Sequence, residues 1–267
     1  MASILAIQNV RKTFRTDAGI EVRALESVSL EVAQGEFVSI IGPSGCGKST
    51  LFGIIGGLIP EYEGHVLVDG QAANGAHQHI GMVFQEESIF PWRTTLQNVA
   101  FPLEVAGVPK AEREERARHF IELVGLQGFE DHYPAALSGG MKQRTAVARA
   151  LAYQPKIMLM DEPFGALDEQ TRLLLGDKLL DIWQTLKQTM LLITHNITEA
   201  VQMSDRVVVM SYRPGRIKQI VRIDLPRPRT SEIISTAQFG QYVGRIWDDL
   251  RQEAARGMMD SARGPAQ

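Results

Sequence analysis

The sequence holds a single cysteine, Cys46, among its 267 residues. It can form no intrachain disulfide and cannot build a cysteine zinc site, so a reducing compartment is expected. Long apolar runs are also missing: FVSIIG (37–42) and IMLM (157–160) have strand length, far short of the roughly 20 residues that cross a bilayer. MASILAIQNV lacks the basic start and long apolar stretch of a secretory signal, and the chain is expected to stay inside the cell. Nor is there a basic excess. With 28 Lys and Arg against 31 Asp and Glu, the net charge of −3 argues against a broad nucleic-acid surface. No internal repeat or low-complexity segment occurs. What is present is an ordinary globular composition, 44% hydrophobic and 22% charged, enough for one large α/β domain or two small ones sharing an interface.

The first forty residues alternate apolar and polar in ILAIQNV and VRALESVSLEV, on either side of a polar turn around Asp17 and Gly19. That period predicts antiparallel strands with one wet face. FVSIIG, IGMVF (80–84), IMLM, MLLIT (190–194) and RVVVM (206–210) are nearly unbroken apolar runs, the mark of strands covered on both faces. Helical patterns between the later ones predict a mainly parallel sheet. Between Gln85 and Pro155 strand signals vanish. From Pro109 onward Ala117, Phe120, Ile121 and Val124 fall at helical spacing before Gly125, a stop signal. Residues 86–156 are therefore expected to be a helical lobe inserted into a sheet core made of 1–85 and 157–225. In the tail, 226–267, Phe239, Tyr242, Val243, Ile246 and Leu250 predict a helix that caps the core, and GMMDSARGPAQ is expected to fray.

Gly42, Gly47, Lys48 and Ser49 match G-x-x-x-x-G-K-[ST], directly after the buried run the motif requires. Glycines let successive N–H groups of Gly42, Pro43, Ser44, Gly45, Cys46 and Gly47 (proline excepted) turn toward phosphate oxygens. The helix opening at Ser49 and Thr50 adds the positive end of its dipole. Lys48 is placed to reach the β- and γ-phosphates of ATP, and the Ser49 hydroxyl to ligate Mg²⁺. The alternative is a glycine-rich turn without a ligand, with Cys46 a small loop residue.

IMLMDEP sets two acids at the exit of a buried strand. Asp161 suits a Mg²⁺ held through water, and Glu162 suits a base that orients and deprotonates the attacking water. Such acids can also simply start a helix; the phosphate loop upstream favours the metal reading. MLLITH ends on His195, able to donate to a γ-phosphate or the water, and GMVFQ on Gln85, able to touch the metal or the water. Neither is decisive alone.

GPSGCGKST, Gln85, LSGGMKQR (137–144), IMLMDEP, GALD (165–168) and His195 stand in the order and spacing of ABC-type ATPases, and the chain resembles that family over about residues 4–225. The implied fold is a P-loop NTPase core with a mainly parallel sheet, an N-terminal antiparallel β subdomain and an inserted helical subdomain, one ABC ATPase domain spanning 1–267. Two cassettes of this family meet head to tail, so the resemblance implies a homodimer in which Ser138, Gly139 and Gly140 complete the ATP site of a second copy. It further implies that Phe14 stacks on adenine and that Asp168 lies at the seam. FPWRTTLQNV (90–99), MDEPFGALDEQTR (160–172), THNITEAV (194–201) and SYRPGRIKQIVRIDLPRPR (211–229) look like the ATPase subunits of nitrate, sulfonate and taurine importers. That subtype implies a separate transmembrane permease, an extracytoplasmic solute-binding protein and a peripheral place on the cytoplasmic face of the membrane. Ile89, Phe90, Pro91 and Trp92 would line a groove for a permease helix. Met141, where most of the family has Gln, and Asn196, where Asp is more usual, depart from the pattern. A soluble ABC ATPase acting on nucleic acid or the ribosome is the alternative, but its long coiled coil, zinc cysteines or second cassette are not found. A non-hydrolysing module would lack Lys48, Glu162 or His195, and all are present.

Overall fold

The computed structural model describes residues 3–17, 19–73, 75–85, 88–165 and 167–262, with side chains as far as Gly257. The chain divides into two compact units, one formed by the residues up to His77 and from Thr189 onward, the other by Gln78–Gln188. The first opens with strands β1 (Ser3–Arg15), β2 (Glu21–Ala33) and β3 (Phe37–Ile41), helix α1 (Lys48–Ile55), and strands β4 (Glu63–Val68) and β5 (Gln71–Ala72). The second holds β6 (Ile80–Val83), α2 (Thr95–Val105), α3 (Lys110–Leu123), α4 (Gly139–Ala152), β7 (Ile157–Asp161) and α5 (Glu169–Leu186). The first is completed by β8 (Thr189–Ile193), α6 (Ile197–Met203), β9 (Arg206–Met210), β10 (Ile217–Arg222) and α7 (Ala237–Ala262).

The alternating N-terminal strands form the expected antiparallel sheet, in the order β2-β1-β4-β5, with Ile7 opposite Leu30 on one side and Val66 on the other. Its apolar face is inside: Leu5, Ile7, Val10, Leu25, Val28, Leu30, Val32, Val66 and Val68 are buried. The continuous apolar runs behave differently. β3 lies between β8 and β9, parallel to both, and β10 closes the edge antiparallel to β9. All five residues of β3 and of β8 are buried, as strands covered on both faces must be.

The amphipathic stripe of α7 packs onto this sheet. Phe239 and Ile246 are buried against Ile41, Val201, Val209 and Val221, with Tyr242, Val243 and Leu250 at the margin. The tail differs from expectation in one respect: the helix runs on through Ala262, so 257–262 do not leave the helix, and 263–267 lie outside the described residues. Beyond the apolar spacing that ends at Leu250, a buried acid, Glu253, holds this stretch in place.

Arg229 staples the segment between β10 and α7. Buried to 3% exposure, its guanidinium donates to the carbonyls of Ser204 (2.6 Å), Ile223 (2.9 Å) and Leu225 (2.9 Å). Burial, and then neighbouring Arg227, push its pKa down to about 10, which leaves the cation charged at neutral pH and its donors matched to orphan carbonyls.

In the second unit β6 runs parallel to β7, with Ile80 opposite Ile157 and Val83 opposite Met160. Between these strands the described elements are helical, and α2, α3 and α4 pack on one another. The expected lobe, 86–156, lies within this unit. Ala117, Phe120, Ile121 and Val124 are buried at the predicted spacing, and Gly125 ends the helix with φ 69°. Thr94 and Gln97 form a capping box on α2, satisfying N–H groups at both positions.

Candidate active site

In the first unit the phosphate loop connects the buried strand β3 to α1. Gly47 takes φ 97°, a left-handed conformation, and a Cβ there would stand 2.8 Å from the carbonyl oxygen of Ala24 and 2.7 Å from Leu25 Cδ2. Only glycine permits that turn and that approach together. Lys48 is folded back into its own loop: Nζ donates to the carbonyls of Gly42 (2.8 Å) and Pro43 (3.2 Å) and lies 3.8 Å from Cys46 Sγ. The ammonium is thus held at the mouth of α1, its three donors turned to the two carbonyls and the Cys46 sulfur. Cys46, expected as a small loop residue, is fully buried in the loop, and desolvation pushes its thiol pKa up despite the nearby lysine. Ser49 and Thr50 lie in the first turn of α1.

His195, exposed, follows β8 between two anchored neighbours. Thr194 and Glu199, both buried, are hydrogen bonded through Thr194 Oγ1, which also accepts from the Asn196 N–H at 3.0 Å. Asn196 caps α6, its side chain accepting from the Glu199 N–H at 3.2 Å. The departure from aspartate therefore leaves the cap intact, since either side chain supplies the oxygen. Phe14 pairs with Val22 across β1 and β2, is 40% exposed, and carries the Lys12 ammonium 5.0 Å from its ring centre. The ammonium lies over the ring, a cation–π contact on that face.

In the second unit Asp161 ends β7, buried, and Glu162 leaves the strand with φ 48°. A left-handed glutamate costs on the order of 1–2 kcal/mol, strain of the kind that collects at functional turns. The Gly165 N–H donates to the Glu162 carbonyl at 3.1 Å, closing that turn, and Gln85 Nε2 donates to Glu162 Oε2 at 3.2 Å. The structure thus brings together two residues, 77 positions apart, that the sequence marked separately.

LSGG forms a helix start. Ser138 caps α4, its Oγ accepting from the Met141 N–H at 3.3 Å. Gly139 has open space where a Cβ would be, whereas one at Gly140 would meet Leu167 Cδ2 at 2.7 Å. Asp168 caps α5, its carboxylate accepting from the Thr171 N–H at 2.9 Å; the Thr171 bonds hold its pKa below the usual carboxylate value. Both caps are exposed.

The segment expected to line a groove divides. Ile89 is buried, 8% exposed, and belongs to the core rather than to a groove, because the chain turns inward before Phe90. Asn98 fixes the next five residues: it accepts from the Phe90 N–H (2.7 Å) and donates to the carbonyls of Phe90, Arg93 and Thr94. Phe90 packs edge-on to Phe101, with Arg149 5.3 Å from its ring centre. The result is a pinned loop that presents Trp92, 70% exposed, beside a cleft of about 380 Å³ lined by Arg93, Leu96, Ala100 and Arg113 among others.

Sequence reasoning missed Asn98 and Arg149, which bear on the aromatic loop, and Arg213 and Gly215, which touch the phosphate loop. Only the SYRPGR match hinted at the last two.

The model of the family described as ABC transporter matches residues 25–165. An uncharacterised ABC transporter ATP-binding protein of Methanocaldococcus jannaschii is 51% identical over 254 residues, covering 95% of this chain and 94% of the relative. A nitrate import ATP-binding protein of Synechocystis is 44% identical over 253 residues, covering 92% and 95%. Among solved structures, a dimeric ATP-binding cassette in a post-hydrolysis state with ADP and phosphate superposes with a TM-score of 0.75 at 34% identity, covering 83% of this chain and 100% of the other. The chain belongs to the ABC transporter family and is an ATPase cassette of it.

Proposed function

We propose that this cassette hydrolyses ATP as one half of a homodimer to drive uptake of a small anionic solute, of the nitrate, sulfonate or taurine type, through a separate permease. A single observation carries the dimer: the exposed, serine-capped start of α4, with open space at Gly139, offers N–H groups and a positive helix end outward from its own chain. In this reading the phosphate loop of one copy and Ser138, Gly139 and Gly140 of the other enclose the triphosphate. Phe14 stacks on adenine. Asp168 stands at the seam.

Mg²⁺ takes hard oxygen donors of the kinds these residues carry: the Ser49 hydroxyl in the first unit, and the buried Asp161 carboxylate and the Gln85 amide oxygen in the second. Bound there, the ion would offset charge on the β- and γ-phosphates. Glu162 orients and deprotonates the attacking water, His195 donates toward the γ-phosphate, and Lys48 exchanges its loop carbonyls for phosphate oxygens.

The importer subtype is supported by the nitrate import relative. Among the described residues no helix is long and apolar enough to cross a membrane. The importer reading assigns the transmembrane path to a separate permease and the cassette to the cytoplasmic face, with Trp92 and the cleft lined by Arg93 against the permease. An extracytoplasmic binding protein would choose the solute. The 86–156 lobe acts as the inserted helical subdomain of a single ABC ATPase domain.

The test is complementation. Lys48→Ala and Ser138→Arg subunits, each inactive alone, are mixed so that mixed dimers keep one intact composite site. Recovery of ATPase activity on mixing is expected; activity of either variant alone, or none in the verified mixed dimer, rules out the shared site. Copurification of the permease and binding protein from native membranes, followed by nitrate and sulfonate binding measurements, tests the solute class.

A further inference from the structure

The turn between β9 and β10, residues 211–216, reaches the phosphate loop from outside. Arg213, exposed, donates from Nε and Nη2 to the carbonyl oxygen of Gly45, each at 3.4 Å. Two residues on, Gly215 lies so close that a Cβ would fall 2.0 Å from the carbonyl oxygen of Cys46. Its own N–H donates to the Ala24 carbonyl at 2.9 Å, and its carbonyl accepts from the Glu26 N–H at 2.9 Å. The Ala24 oxygen is also the atom that Gly47 approaches, a Cβ there falling 2.8 Å from it.

These contacts fall on two successive peptide units of the loop, Gly45–Cys46 and Cys46–Gly47. A trans peptide is planar, with its C=O and N–H pointing in opposite directions. With the Gly45 carbonyl drawn toward Arg213 and the Cys46 carbonyl packed against Gly215, the N–H groups of Cys46 and Gly47 face the other way, and that of Cys46 donates to the Pro43 carbonyl at 3.3 Å within the loop.

The turn has its own anchor. Ser211 and Arg216 are joined by two bonds, Ser211 N–H to the Arg216 carbonyl at 2.9 Å and Arg216 N–H to Ser211 Oγ at 3.1 Å. The Tyr212 N–H donates to Glu253 Oε2 on α7 at 3.0 Å, and the Tyr212 ring covers Gly257, where a Cβ would come within 2.8 Å. Glu253 is 1% exposed and also pairs with Lys218 and Arg256, each at 3.1 Å.

We propose that the 211–216 turn is a positioning element for the phosphate loop, in which Arg213 and Gly215 pre-set the two peptide planes that meet the nucleotide and Glu253 of the C-terminal helix fixes the turn. Arg213 is a positioning residue, acting through the Gly45 carbonyl. The affinity part of this proposal rests on the assignment of the triphosphate to this loop; the loop-order part does not.

Cys46, the sole cysteine and fully buried, reports on loop order directly. In nucleotide-free protein Arg213→Ala is expected to speed alkylation of Cys46 about 5-fold, the effect of losing one hydrogen bond. The same variant raises the ATP dissociation constant and KM by about 5-fold while kcat at saturating ATP stays within about 2-fold, and Arg213→Lys, which keeps a donor, recovers part of both. Glu253→Ala shifts the Cys46 rate in the same direction with Arg213 intact. Melting temperature and circular dichroism of each variant confirm the fold. Cys46 reactivity and ATP affinity both unchanged in Arg213→Ala overturn the proposal, as does a loss confined to kcat. If Lys48→Ala binds ATP as tightly as the parent, the assignment of the triphosphate has failed instead, and the alkylation rates alone then decide the role of the turn.

Discussion

Gln85 Nε2 donates to Oε2 of Glu162 at 3.2 Å, tying the end of one strand, β6, to the acid that leaves the parallel strand beside it. The bond restrains a carboxylate that already sits on a left-handed backbone. Gln85 thus holds the Glu162 carboxylate, in addition to the contact with metal or water that we propose for its amide. Glu162→Gln is expected to retain ATP binding while steady-state turnover falls about 10²-fold or more, the loss of a general base. Gln85→Ala should lower turnover about 10-fold with a smaller change in ATP affinity, the scale of one bond to a charged group. Normal turnover in Glu162→Gln removes the assignment.

Lys48 is satisfied by the carbonyls of Gly42 and Pro43. Replacing it with Ala removes the brace inside the loop and, in the proposed role, the cation that meets phosphate. ATP affinity measured by titration calorimetry is expected to drop about 10-fold or more, as for a charge-assisted contact. The fall appears in binding rather than only in turnover.

Arg229→Ala leaves the carbonyls of Ser204, Ile223 and Leu225 without their buried donor. A destabilisation of about 2–4 kcal/mol in chemical unfolding is expected, and Arg229→Lys recovers only a part because an ammonium cannot span three oxygens with one planar fork.

Glu253 gives an acid-side signature. Burial works to raise its pKa, but the Tyr212 N–H and the Lys218 and Arg256 cations outweigh that and hold it below the ordinary value of 4.5. A folded pKa below the unfolded one contributes stability that is present above about pH 4.5 and fades as pH falls through the folded value. Glu253→Gln is expected to flatten the decline in melting temperature on the acid side of that value. An unaltered slope would show that the acid is not charged in the native state.

The sequence by itself determined the elements. Alternation in ILAIQNV and VRALESVSLEV specified an antiparallel sheet because one face meets water, and the unbroken runs at 37–42 and 190–194 specified covered parallel strands because neither face does. It also determined the chemistry in outline, since Gly47, Lys48, Asp161 and Glu162 lie in short motifs whose spacing is local. Only tertiary structure decided how distant pieces meet: that Gln85 restrains Glu162, that Asn98 pins the loop bearing Trp92 while Ile89 turns inward, and that Arg213 and Gly215 back the phosphate loop. Those contacts rest on a few hydrogen bonds or on a missing Cβ, several of them between residues far apart in the chain, and neither leaves a periodic trace in the sequence. Periodicity records which face of an element is dry; it carries no record of which neighbour dries it.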